Sequence, residues 1–165
     1  MLYQTSNPHG GDLYGRTVKL DFSVNTNPLG TPLSVVRAVE ASAPNLCHNP
    51  DPCCRELTAA LPAYEAVPED AILCGCGAAE LIYAYCSAIG AVRALLPSPT
   101  FLEYGTALLA AGAEPVCFPL REMDRFALTA DFLENIRRTE CKVIFLCNPN
   151  NPTGQMIQPE LLEAV

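Results

Sequence analysis

Three loops in this chain carry groups that suit ligand chemistry, and each follows a short apolar run. The first is Asn148-Pro149-Asn150-Asn151-Pro152-Thr153-Gly154, directly after Cys141-Lys142-Val143-Ile144-Phe145-Leu146-Cys147. A carboxamide in this loop can donate N–H to an anionic oxygen without adding a titrating group. The second is Cys74-Gly75-Cys76-Gly77-Ala78-Ala79-Glu80, where small residues open a helix. There backbone N–H groups at the helix N-terminus can meet an anion favoured by the helix dipole. The third is Pro97-Ser98-Pro99-Thr100-Phe101-Leu102-Glu103-Tyr104, which offers an aromatic ring for stacking on a flat heteroaromatic. Each has an ordinary explanation on its own, since such residues are common in turns and cores. Together an anion turn, an aromatic wall and an amide donor suit one ligand at the carboxyl edge of a sheet.

The elements needed to bring these loops together are legible as an alternation. Strands are predicted at Ala71–Cys74, Val92–Leu96, Pro115–Phe118 and Lys142–Cys147, with helices at Ala78–Ile89, Phe101–Ala111 and Thr129–Arg137 between them. Alternation with short connections implies an α/β fold, a mostly parallel sheet with helices on both faces. Upstream, residues 1–17 read as an irregular arm, Val18–Ser23 as a short strand and Asn25–Gly30 as a Pro/Gly loop. Thr31-Pro32 reads as an N-cap followed by proline at the first helical position, opening a helix to about Ala43. A loop from Pro44 to Pro52 leads to a helix near Cys54–Glu65. Gln155–Val165 begins a further helix, so the sheet is expected to be truncated and the chain to be the N-terminal part of a longer protein.

Composition narrows the classes of partner. The chain has 165 residues, 50% of them apolar, and a formal charge of −8, which argues for a folded domain and against a nucleic-acid surface. The adjacent pair Arg137-Arg138 reads as a solvated helix end. No stretch reaches the roughly 20 apolar residues of a membrane span, and a cytoplasmic location is expected. The nine cysteines do not have the paired C-x-x-C spacing of structural zinc, and those within apolar strands read as small hydrophobes.

The heptad from Asn148 to Gly154 resembles the N-P-x-N-P-T-G signature of the fold-type I pyridoxal-phosphate-dependent aminotransferases of class I and II. The turn from Gly75 to Glu80 is similar to that family's G-x-G-x-x-E turn, and Pro99-Thr100-Phe101 to its P-T-[FYW] segment. The resemblance covers essentially the whole chain and implies the large domain of the aspartate aminotransferase fold. It implies an arm and first helix over residues 1–45 and a partial cofactor-binding domain over residues 46–165. Asn151 is then the donor to the phenolic oxygen of pyridoxal 5'-phosphate, Phe101 the residue stacked on its ring, and Gly77, Ala78 and Ala79 the receivers of its phosphate. Cys76 and Ala79 depart from the polar residues that many relatives carry there.

Within the family, His9-Gly10-Gly11, the run Leu20–Gly30 and Phe101-Leu102-Glu103-Tyr104 look like the threonine-phosphate decarboxylase branch of cobalamin biosynthesis, beside histidinol-phosphate aminotransferases. This implies that His9, Gly10 and Asn25 line a substrate phosphate pocket, where imidazole, backbone amide and carboxamide can all donate to an oxyanion. Asn49-Pro50-Asp51 matches a Tyr-Pro-[DE] segment whose tyrosine reaches the cofactor phosphate of the neighbouring subunit of a homodimer. Asn49 is a shorter donor, and His48 stands beside it as an alternative. The implied reaction is decarboxylation of L-threonine O-3-phosphate to aminopropanol phosphate, with transfer of the amino group to an oxo acid as the alternative.

The lysine that would carry the cofactor is missing. Lys19 and Lys142 are the lysines present, and neither stands at the family's position. The 165-residue chain is therefore expected to be inactive by itself, and a binding module that kept only the cradle is a second alternative.

Overall fold

The structure, a computed structural model, describes residues 10–15 and 17–165. The candidate phosphate ligand His9 lies outside the described residues. The chain divides into two compact units, Met1–Pro52 and Cys53–Val165.

In the first unit, helix α1 spans Leu33–Ser42 and runs into a 3-10 turn over Ala43–Cys47. Pro32 is its N-cap and not its first helical residue, and the Pro32 carbonyl accepts the Val35 and Val36 N–H groups at 2.9 and 3.1 Å. The strand expected at Val18–Ser23 is absent. Asp21 Oδ1 instead accepts the Ser23 N–H at 2.8 Å and the Ser23 hydroxyl at 2.6 Å, so a local side-chain turn takes the donor that a ladder would have used. The Gly11 N–H then donates to Ser23 Oγ at 2.9 Å. A Cβ on Gly10 would stand 1.9 Å from the Ser23 carbonyl oxygen, so this approach of two backbones requires glycine.

The second unit opens with α2, Arg55–Glu65, and α3, Gly77–Ile89. The strand expected at Ala71–Cys74 does not form. Glu69–Ala71 is a 3-10 turn, and Ile72 beyond it is extended (φ −112°, ψ 128°) but has no ladder partner among the described residues. Next come β1 (Arg93–Ser98), α4 (Leu102–Ala110), β2 (Glu114–Pro119), α5 (Asp131–Thr139), β3 (Val143–Ile144) and α6 (Pro159–Glu163). The sheet is parallel in the order β2-β1-β3, with Leu95 opposite both Val116 and Ile144.

β3 is much shorter than the run Lys142–Cys147 predicts, and Pro97 explains why. Residues 93, 95 and 97 of β1 face β3, as the bonds Lys142 N–H to Arg93 O and Phe145 N–H to Leu95 O, both 2.9 Å, establish. The next rung needs an N–H at position 97, and proline has none.

The side chains of β1 alternate between two faces. Ala94 and Leu96 pack with Cys86 of α3 and with Ala107 and Leu108 of α4. α5 packs on β2, where fully buried Phe132 meets Phe118 edge-on at a ring separation of 5.2 Å. Of the cysteines only Cys86 is buried among the described residues, and it lies on a helix; Cys117 in strand β2 is exposed, while its neighbours Val116 and Phe118 are half-buried on the opposite face. Arg137 and Arg138 are exposed in the last turn of α5.

Candidate functional site

Chain reversals put the three loops at one edge of the sheet. Gly90 ends α3 at φ +69°, a conformation that suits glycine, and its N–H bonds the Cys86 carbonyl at 3.1 Å. The turn Gly90–Val92 feeds β1 directly, so α3 runs back along the sheet and its N-terminus lies toward the carboxyl end of β1. The loop after β1 carries Phe101, and the loop after β3 carries Asn151. β1 connects to β2 on one side and has β3 on the other, so the chain reverses its winding direction between β1 and β3. Open α/β sheets bind ligands at such a reversal, outside the carboxyl ends of the strands.

The two adjacent asparagines of the last loop do different work. Asn150 is buried, at 9% exposure, and every polar position of its carboxamide is engaged. Its Oδ1 accepts the Thr100 hydroxyl at 2.9 Å, while Nδ2 donates to the Pro99 carbonyl at 3.1 Å and to Thr153 Oγ1 at 2.9 Å. Its backbone N–H reaches Gln155 O at 2.8 Å, and its carbonyl accepts Gly154 N–H at 2.7 Å. Asn151 is exposed, and its carboxamide makes no hydrogen bond among the described residues. The Ser98-Pro99, Asn148-Pro149 and Asn151-Pro152 peptide bonds in these two loops are cis.

The same division of labour holds in the first unit. Asn27 closes its own loop, with Nδ2 on Gly30 O at 2.8 Å and Oδ1 accepting Leu29 N–H at 3.0 Å. Asn25 and Asn49 are both exposed and keep open carboxamides among the described residues.

At the start of α3, four N–H groups lack intrahelical acceptors by construction. The Cys76 N–H is taken by the Glu80 carboxylate and the Gly77 N–H by the Gly75 carbonyl at 2.9 Å. Ala78 and Ala79 remain as open first-turn donors, and both are exposed. Gly77 holds φ +84°, which favours glycine, and open space surrounds the position a Cβ would take. The Cys76 thiol makes no capping bond, and the Glu80 carboxylate, four residues on, takes the Cys76 N–H instead.

Phe101 is half-buried at the N-cap of α4, edge-on to Tyr104 at 5.6 Å. Tyr104 packs on Phe145 at 4.9 Å, and Phe145 meets Tyr85 of α3 at 6.0 Å. This row of rings braces α3, α4 and the end of β3 against one another. Burial, followed by the hydrogen bond and charge of Cys147 beside it, pushes the Tyr104 phenol up to about 12 from its ordinary value of 10.0. A tyrosine that ionises later in the fold than in the unfolded chain stabilises the fold fully below pH ~10, and that contribution is lost as pH rises through the folded value. Absorbance titration at the tyrosinate band should therefore show one residue ionising near 12. Tyr104→Phe should delete that step and flatten the stability decline above pH ~10.

A shallow apolar cleft lies beside the same loops, lined by Pro97, Leu120, Leu128, Leu146, Asn150 and Ile157 among others. It includes none of Ala78, Ala79, Phe101 or Asn151. Among the described residues no cluster able to hold a metal occurs, and no helix is long and apolar enough to cross a membrane.

Sequence reading missed Asn150, Thr100 and the capping role of Glu80. Glu80 stands one residue beyond the usual capping-box spacing from Cys76. Nothing local marks Asn150, whose partners Pro99 and Thr100 are 51 and 50 residues away.

A parallel sheet wound in both directions, with donors and an aromatic wall at its reversal, is the large-domain architecture of an aminotransferase, and residues 17–165 match the family aminotransferase class I and II. The chain belongs to this pyridoxal-phosphate-dependent family. Among its relatives, threonine-phosphate decarboxylase of Salmonella typhimurium is 40% identical over 146 residues, covering 88% of this chain and 40% of that protein. Histidinol-phosphate aminotransferase of Desulfitobacterium hafniense is 35% identical over 149 residues, covering 87% of this chain and 41% of that protein. The crystal structure of the histidinol-phosphate aminotransferase from Clostridium acetobutylicum superposes with a TM-score of 0.72 at 28% identity, over 86% of this chain and 41% of that one. The chain thus spans about 40% of the length of the relatives it matches.

The residues present fit the cofactor in kind. Two open amides at a helix N-terminus suit a phosphate, a half-buried ring suits a pyridine face, and an unengaged carboxamide suits a phenolate.

Proposed function

We propose that the complete protein acts on a phosphorylated amino acid and decarboxylates L-threonine O-3-phosphate to aminopropanol phosphate. The observation that carries the cofactor part is the separation of Asn150, locked into the loop, from Asn151, which is open. The substrate part draws on the 40% identity with the Salmonella decarboxylase, against 35% with the Desulfitobacterium aminotransferase. When bound, the cofactor supplies an electron sink for the pair left on the substrate's α-carbon.

In this reading Ala78 and Ala79, entered through Gly77, donate backbone N–H groups to the cofactor phosphate. Phe101 covers one face of its ring, and Asn151 donates to its phenolic oxygen, holding that oxygen as the anion. His9, Gly10 and Asn25 bind the substrate phosphate. Asn49 donates across a homodimer to the partner's cofactor phosphate, and the protein works in the cytoplasm. The lysine that carries the cofactor and the groups that hold the substrate carboxylate would come from sequence outside these 165 residues.

The alternative, amino transfer from histidinol phosphate to an oxo acid, uses the same cradle. The two separate in one assay of the complete gene product loaded with pyridoxal 5'-phosphate. Carbon dioxide and aminopropanol phosphate formed from threonine phosphate without any oxo acid is the expected result. A strict requirement for an oxo acid, with its amino acid as product, would replace the decarboxylase reading with the aminotransferase one. A loaded protein inactive in both assays would leave the binding module.

A further inference from the structure

Asn150 bonds to the two residues that precede Phe101 and to the residues that close the loop carrying Asn151. Thr100, whose hydroxyl donates to Asn150 Oδ1 at 2.9 Å, immediately precedes Phe101. Pro99, whose carbonyl accepts from Nδ2 at 3.1 Å, precedes Thr100. On the other side, Asn151 follows Asn150 directly, and Thr153 Oγ1 and Gly154 N–H close the loop back onto the same residue at 2.9 and 2.7 Å. We infer that Asn150 and Thr100 form a positioning clamp that fixes the separation of the Phe101 ring from the Asn151 carboxamide, and thereby the tightness and orientation with which the pyridine ring is held. The inference rests on the cofactor reading above.

The physical case is one of completeness. At 9% exposure Asn150 lies largely out of water, where each polar atom needs a protein partner. The oxygen and both N–H groups of its carboxamide are used, so one buried side chain ties the two loops together. The ladder cannot supply the link instead, because Pro97 stops β1–β3 pairing just below the loops. Neither Thr100 nor Asn150 need touch the cofactor; they act through Phe101 and Asn151.

Thr100→Val keeps the side chain's shape and removes the hydroxyl, leaving a buried carbonyl oxygen without its donor, whereas Thr100→Ser keeps the hydroxyl. In the complete gene product titrated with pyridoxal 5'-phosphate, Thr100→Val should weaken binding roughly tenfold, as loss of one such bond implies, and should reduce the induced circular dichroism of the cofactor band. Thr100→Ser should restore both. Asn150→Ala should behave like Thr100→Val, and the double variant should be no weaker than Asn150→Ala alone, since both changes break one unit. Urea curves on each variant keep the titrations where the protein is folded. Variants that are folded and bind with unchanged affinity and dichroism would overturn the clamp, and so would fully additive losses. Failure of the unaltered protein to bind the cofactor would overturn the cofactor reading, and the clamp with it.

Discussion

Phe132→Ala should destabilise the second unit by about 3–5 kcal/mol, the range for emptying a fully buried aromatic site. Phe132 is 0% exposed, the largest side chain among those fully buried, and its ring meets Phe118 of β2 edge-on at 5.2 Å. It is the anchor of α5 on its face of the sheet, where Leu95 is also fully buried. Alanine would remove the ring contact and leave a cavity that helix and sheet can close only in part. Against a total of roughly 5–15 kcal/mol for a domain, that loss brings the fold near its limit. The measurement is a urea transition followed by far-ultraviolet circular dichroism, with Leu109→Ala as the control. Leu109 is 65% exposed on α4, and its truncation should cost no more than about 0.5 kcal/mol. Equal midpoints for the two variants would remove Phe132 from the core.

Asn151→Ala should weaken pyridoxal 5'-phosphate binding about 10- to 100-fold, because a hydrogen bond to a charged oxygen is worth about 1.5–3 kcal/mol. The same change should leave the urea midpoint of the apo-protein where it was, since Asn151 is exposed and holds no part of its own loop. Affinity and stability therefore separate at this residue. Asn151→Asp sharpens the test, because a carboxylate beside a phenolate repels it and should bind the cofactor less well than alanine does. Titration of the cofactor's visible absorbance reads both variants. Unchanged affinity in Asn151→Ala would detach this side chain from the cofactor.

What the order of residues determined by itself was the alternation of helices and apolar runs, and with it the α/β class. It also located the three loops, because turn chemistry is local: Asn, Pro and Gly act through their own φ, donors and rings. α3, β1 and β2 fall within a few residues of their predicted bounds for the same reason, as amphipathic or apolar runs closed by turn residues. Whether extended residues become a strand is not local. Ile72 is extended without a ladder partner among the described residues, the segment Val18–Ser23 is bent by Asp21, and β3 is cut short by a proline on the neighbouring strand. Strand pairing requires a second stretch of backbone with free donors at matching positions, and no single segment encodes that.

The same distinction separates Asn150 from Asn151. As letters they are identical neighbours, and only the fold brings Thr100 and Pro99 up to one and leaves the other facing solvent. Hydrogen-bond satisfaction of a buried amide depends on groups 50 residues away in the chain, whereas the amide's capacity to donate is a property of the residue. Sequence therefore determined which chemistry the loop can offer, and the tertiary structure decided which residue is left to offer it.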